Sequence, residues 1–382
     1  MPHPAKMRFH VLDGWRGVCA LLVALYHLDV ASHVHDLALV RHAWMLVDFF
    51  FVLSGFVIAF AYQDSLTDGR GIRQFAIRRF GRLWPLHAAM LLPFVAIAAV
   101  KLAGHHDGAS PFSGAQSPAA LLASLALVHV LHLFAQPVWN VPSWSISAEF
   151  CAYGIFVLYC LVTPRLRIFA ATTISVFGLA VVAAFSPHML DATVDFGFFR
   201  CLYGFFAGVL TCLLWRHYPR LRIGGSRAEL AALFLIGLFI CMTPRDSAAS
   251  LAAPLLFALV VHVFAVQSGQ VSRVMGARLI GLMGTLSYSL YMVHYLVSRL
   301  LVSALQHAGF VPAPSAADGY PPLMLDPWLG DALTLGYVVA IAALAWCTWR
   351  FIEEPGRKFF NARASAVARS RPAAREAADA AF

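Results

Sequence analysis

The stretch LDGWRGVCALLVALYHL, residues 12–28, decides how this chain is to be read. With the residues that follow, its apolar run is long enough for a helix crossing a bilayer, yet it carries Arg16 and, eleven residues on, His27. On an α-helix eleven residues turn about 20° past three full turns and rise about 16 Å, so the two side chains share one face at different depths. Lipid solvates neither a guanidinium nor an imidazole, so that face belongs to a bundle interior or to a polar track across the membrane.

The rest of the chain supplies the bundle. Its 382 residues are 60% hydrophobic and 12% charged, far more apolar than a soluble domain with a polar surface. Apolar segments at 11–33, 44–63, 83–103, 144–162, 168–186, 196–215, 228–243, 250–267, 278–307 and 331–352 predict an all-α, polytopic membrane helical bundle of about ten transmembrane helices. A shorter apolar stretch, 119–134, is expected as a re-entrant or surface helix. The whole reads as one transmembrane domain, residues 1–360, with an Ala- and Arg-rich tail, 361–382, expected to be disordered at the cytoplasmic face beside anionic lipid.

Charge placement sets the orientation. With the N-terminus inside, Arg41, Lys101 and Arg245 lie outside, Arg16, Arg200 and Arg299 lie within spans, and the rest of the 28 Lys and Arg residues fall on the cytoplasmic side. This bias predicts that both termini are cytoplasmic, and it would collapse if 119–134 crossed. The net charge of +9 is therefore a topology signal; the partner it implies is the lipid bilayer, and nucleic acid is excluded. The first span reads as an uncleaved anchor. The seven cysteines sit in or beside apolar stretches without a C-x-x-C, so no disulfide framework is expected. His129 and His132, and His105 with His106, lack carboxylate or cysteine neighbours at ligand spacing, so no metal is expected. GFFAG, residues 204–208, is a small-xxx-small motif for close helix packing.

Two acids fall at about the depth of His27: Asp48 in VDFFFVLSGF and Glu149 in PSWSISAEF. A carboxylate on one ring nitrogen would fix the imidazole tautomer and raise the basicity of the other, as a general base needs. Singly these residues have bland readings: Arg16 as a snorkelling anchor, His27 as structural, Asp48 and Glu149 as packing groups. Together they do not, since each mid-span charge costs roughly 2.5–3.5 kcal/mol and three cost about 8–10 kcal/mol, comparable to a domain's whole stability. The loop GRGIRQFAIRRFGRLWPLH places Arg79 and Arg82 three apart before Pro85, a fork arrangement suited to phosphate oxygens on a cytosolic donor.

These residues resemble the membrane acyltransferase 3 family, which transfers acyl groups to surface polysaccharides, lipopolysaccharide, peptidoglycan and some small molecules. LDGWRGVCALLVALYH is similar to its R-x10-H signature, VDFFFVLSGFVI to its second-helix motif, and RRFGRLWPLH to its R-x-x-R element. PSWSISAEF resembles its W-S-x-S-x-E element, GTLSYSLYMVH its late serine and tyrosine motif, and FIEEPGRK its closing segment. The resemblance implies ten spans with the N-terminus inside, catalysis tied to Arg16 and His27, and Arg79, Arg82 and Arg16 holding the phosphates of acyl-CoA, acetyl-CoA being the commonest donor. It implies a multi-pass protein of the bacterial inner membrane that acylates a glycan or small-molecule hydroxyl.

His27 would then act as general base or transient acyl carrier, oriented by Asp48 or Glu149. Where many members carry two consecutive acids, this chain has Ala148 and Glu149, which leaves the partner acid open. Ser54, Ser145 and Ser147 are oxyanion candidates; Ser287, Tyr288, Tyr291 and His294 are further cavity candidates, with interhelical hydrogen bonding as their alternative. Many members also carry a C-terminal SGNH hydrolase-like domain not seen here, so any later step is expected to need a separate periplasmic partner or none. The rival class is an ion-coupled transporter or flippase, which also uses intramembrane charge pairs; the lack of an internal repeat and the one-sided arginine cluster count against it.

Overall fold

A computed structural model describes residues 7–104, 110–311 and 323–369. Its elements are the helices α1 (His10–Tyr26), α2 (Ala38–Arg41), α3 (Leu46–Tyr62), α4 (Gly69–Ala103), α5 (Pro118–Leu125), α6 (Trp144–Cys160) and α7 (Arg167–Phe185), then α8 (Gly197–His217), α9 (Ser226–Met242), α10 (Ala253–Phe264), α11 (Gln270–Met275), α12 (Arg278–His307), α13 (Pro327–Thr348) and α14 (Glu354–Arg369). Among the described residues there is no strand beyond an isolated bridge between Val30 and Leu323.

Seven of the helical segments are long and apolar enough to cross a membrane: Ala43–Tyr62, Gly69–Ala103, Val141–Cys160, Pro164–Phe185, Gly197–His217, Arg278–His307 and Pro327–Val367. The other three expected spans are also helical but shorter. α1 and α9 have 17 residues each, and α10 has 12 behind a 3-10 turn. A 17-residue helix rises about 26 Å, slightly less than the roughly 30 Å of a hydrocarbon core. The expected span 11–33 stops at Tyr26, and His27 is its C-cap.

Three expectations about helix extent need correction. The arginine-rich stretch before Pro85 is not a loop: α4 begins at Gly69, with Asp68 Oδ1 accepting from the Gly71 amide at 2.7 Å, so its arginines stand on a helix that continues into the span. The apolar run 119–134 is not one helix. α5 has eight residues and rises only about 12 Å, too short to cross. Beyond it Leu127, His132 and Trp139 take left-handed backbone angles. Finally, the expected disordered tail from 361 is helical as far as Arg369, as the end of α14 on α4, while 370–382 lie outside the described residues. The pair His105 and His106 also lies outside them.

Small residues set the closest packing. α8 lies along α3, where a Cβ on Gly208 would overlap the Val52 carbonyl and one on Gly55 the Phe205 carbonyl, so GFFAG acts as the close helix contact its spacing predicts. In a second close contact α1 packs on α12, with Gly284 against the Asp13 carbonyl. The irregular backbone around Leu127 and Val130, just after α5, stays buried because it is bonded: Ser147 Oγ donates to the Leu127 carbonyl at 2.9 Å and accepts from the Val130 amide at 3.2 Å. Trp84 and His87 of α4 hold the end of α5 through the carbonyls of Leu125 and Ser124, both at 2.9 Å.

Candidate active site

The start of α1 and the middles of α3, α4, α6 and α12 enclose a cavity of about 620 Å³ that opens at the arginine-rich end of the bundle. Its wall carries Arg8, Arg16, Arg79, Arg82 and Arg357 against Asp13 and Glu149, so guanidinium outnumbers carboxylate. Arg16, Phe50, Glu149 and Tyr288 also line a second, smaller cavity of about 60 Å³, which continues to Ser145, Ser287 and Tyr291. Arg16 thus stands at the junction of the two spaces. Its side chain is 30% exposed and its partner is distant, Asp13 at 3.7 Å, with Arg82 repelling it and Glu149 and Glu353 attracting it from further away.

The two acids do not meet His27. Asp48 is fully buried in an ion pair with Arg200 of α8: Nε donates to Oδ1 at 3.0 Å and Nη2 to Oδ2 at 2.7 Å. The remaining Arg200 donors reach the carbonyls of Ala192 and Trp44, and the Trp44 and Trp144 rings flank the guanidinium. Glu149 accepts from Ser54 Oγ and, at 2.6 Å, from the Tyr153 hydroxyl. The Asp48 assignment fails because a guanidinium at the same depth on the helix packed closest to α3 neutralises it; Glu149 faces the arginine-rich cavity.

His27 lies apart from both cavities' linings. Its Nδ1 donates to the Val23 carbonyl at 2.9 Å, and its carbonyl accepts from Ser298 Oγ at 2.6 Å. Its ring centre is 5.0 Å from that of His294, which in turn is 5.5 Å from that of Tyr291 in the small cavity. The expected single space flanked by Arg16 and His27 is therefore two zones, bridged by Tyr291 and His294.

The remaining candidates sort by what holds them. Ser145 Oγ and the Tyr291 hydroxyl lie 2.8 Å apart on the cavity wall, with the Pro142 carbonyl as a shared acceptor at 3.0 and 3.1 Å. Ser147 is committed to the stretch after α5, and Ser287 Oγ donates to the Gly284 carbonyl of its own helix at 2.8 Å. The Tyr288 hydroxyl donates to the Leu83 carbonyl, while its ring carries the Arg82 guanidinium at 5.2 Å. Arg79 donates to the Tyr62 hydroxyl at 2.9 Å. Arg82 is not a free phosphate ligand: it is bonded to Glu353, which also accepts from Ser289 Oγ at 2.7 Å. A π-helical turn, Trp349–Glu353, brings that acid behind the cavity wall, against Arg82. Residue-by-residue reasoning missed Glu353, although FIEEPGRK contains it; an acid facing an R-x-x-R pair across 271 positions leaves no local spacing signal.

The match to known proteins is decided by a family model of the acyltransferase domain, which fits residues 9–347. The chain belongs to the acyltransferase 3 family. Among curated proteins it is similar to protein 2 of the picA locus of Rhizobium radiobacter, 41% identical over 85 residues, which is 22% of this chain and 42% of that protein. It is also similar to Acyltransferase MdmB of Streptomyces mycarofaciens, 29% identical over 167 residues, which is 41% of this chain and 40% of that protein. The chain thus spans about two fifths of the length of each relative. No solved structure matches it. As an acyltransferase 3 protein it is built from helices joined by loops, with seven helices among the described residues able to cross a bilayer. The two residues of its R-x10-H signature sit at the cavity junction and behind the His294 bridge.

Proposed function

We propose that this protein is a membrane O-acyltransferase that takes an acyl group, acetyl in the first instance, from acyl-CoA on the cytosolic side and delivers it to a hydroxyl of an extracytoplasmic glycan or related acceptor. The observation that carries the reading is the arginine-walled cavity running inward to Arg16. A CoA thioester is an anion at one end and a slender neutral arm at the other. Arg79, with Arg8 and Arg357, whose pairings with Asp13 and Glu354 are more exposed than that of Arg82, suits its phosphates, and the narrow continuation past Arg16 and Glu149 suits the pantetheine arm. Glu149, held by Ser54 and Tyr153, balances Arg16 without sealing it.

At the far end His27 Nε2 acts on the acceptor hydroxyl, as base or as transient acyl carrier, and one O–H of the Ser145–Tyr291 pair turns from the Pro142 carbonyl to donate to the thioester oxygen as charge develops there. On this reading the membrane is the bacterial inner membrane with both termini cytoplasmic.

The test is chemical. Purified protein in lipid nanodiscs, given acetyl-CoA labelled in the acetyl group, releases CoA and labels a glycan acceptor; His27→Ala folds and does neither. Unchanged acetyl-CoA together with uptake of a polar solute into sealed proteoliposomes would instead establish a carrier.

A further inference from the structure

Since neither acid reaches His27, something else must deal with the proton it takes up. Nδ1 of His27 faces the Val23 carbonyl, and a carbonyl only accepts, so Nδ1 carries the proton and Nε2 holds the lone pair. The helix itself thereby does what the carboxylate was expected to do, fixing the tautomer, but it provides no base to take a proton onward.

His294 is the group placed to do that. It is fully buried on α12, and neither ring nitrogen has a hydrogen-bond partner of normal geometry among the described residues; the nearest main-chain acceptors are the Leu290 and Tyr291 carbonyls of its own preceding turn. Among the described residues the buried His87, His129 and His262 each keep one ring nitrogen bonded, whereas both nitrogens of His294 are left over, at a cost in stability. The titratable groups facing it are His27 from α1 and Tyr291 on its own helix, with the Tyr337 hydroxyl of α13 donating to its carbonyl at 3.2 Å. Tyr291 closes the line, because its hydroxyl, 2.8 Å from Ser145 Oγ, lies in the wall of the small cavity. The ring centres lie 5.0 and 5.5 Å apart, and because neither His294 nitrogen is directly hydrogen-bonded, each step runs through a bridging water or a small turn of the ring.

We propose that His294 is the positioning and relay partner of His27, an imidazole pair standing where an acid–histidine pair was expected. The inference rests on the acyl-transfer reading above. His27 Nε2 takes the proton of the acceptor O–H as the new C–O bond forms and the C–S bond breaks. His294 accepts that proton at one ring nitrogen and releases one from the other toward Tyr291 and the cavity, where the departing thiolate takes it up. Alcohol plus thioester give ester plus thiol, with no oxidant and no second co-substrate.

The experiment uses the full-length protein in nanodiscs and two variants, His294→Phe, which keeps the ring volume, and His294→Asn, which keeps polarity. Wild-type transfer is the control: without it the acyl-transfer reading fails and the relay is moot. With it, both variants are expected to lose about 100-fold in kcat while KM for acetyl-CoA stays within about threefold, the signature of a lost proton step rather than lost binding. A variant that folds and keeps kcat within about threefold of wild type overturns the proposal. Should neither variant fold, the wild type decides: a proton inventory of single-turnover transfer in mixed H2O and D2O that bows, as two protons in flight require, supports the relay, and a linear one overturns it.

Discussion

Two charge clusters inside the bundle are treated oppositely by this molecule. On the α3–α8 side, Asp48 and Arg200 are 0% and 1% exposed, bonded at two points, with the spare guanidinium donors on carbonyls and two tryptophan rings beside them. On the α1–α12 side, Arg16 is 30% exposed to a cavity, its carboxylate contact is 3.7 Å away, and Glu149 is bonded to hydroxyls rather than to a cation. The first cluster has nothing left to offer a ligand. The second is left incompletely paired, which costs stability and leaves charge available to a substrate. Position in the membrane alone thus does not identify a functional charge; incomplete pairing beside a cavity does.

Removing one partner from each cluster tests that contrast. Asp48→Ala should have the largest effect, about 3–5 kcal/mol of stability, because it strands a buried guanidinium. A sharp fall in thermal midpoint or folded yield measures it, and adding Arg200→Met should recover most of the loss. A stable Asp48→Ala single variant would break the comparison. Arg16→Ala should do the reverse, keeping the thermal midpoint while lowering kcat/KM for acyl transfer about 100-fold, equivalent to about 2.7 kcal/mol. If it unfolds the protein instead, the two clusters are alike. The smallest effect is expected from Ser147→Ala, which frees the Leu127 carbonyl and the Val130 amide: about 1–2 kcal/mol of stability, with transfer per folded molecule unchanged. A large loss of turnover there would return Ser147 to the reacting centre.

Much of the site could be read before folding because its elements are local. The pairing of Arg16 with a position eleven residues on follows from helix periodicity, and the R-x-x-R fork of Arg79 and Arg82 from a three-residue spacing. The motif order across the chain pointed to the family whose model matches residues 9–347. Asp48 and Glu149 were legible as intramembrane acids, but their partners were not. Arg200 answers Asp48 from 152 residues away and Glu353 answers Arg82 from 271 away, and neither separation has a period to detect.

The sequence by itself determined that this is a helical membrane protein with charge buried on purpose, since apolar runs, arginine placement and the cost of intramembrane ions are properties of local stretches. Only tertiary packing decided which of those charges are spent on one another, because in a low-dielectric interior a charge is satisfied by whatever lies within hydrogen-bond reach. That is why His27 faces His294 rather than an acid, and why Arg16, alone among the charges first singled out in mid-span, combines a remote partner with a place at the junction of two cavities.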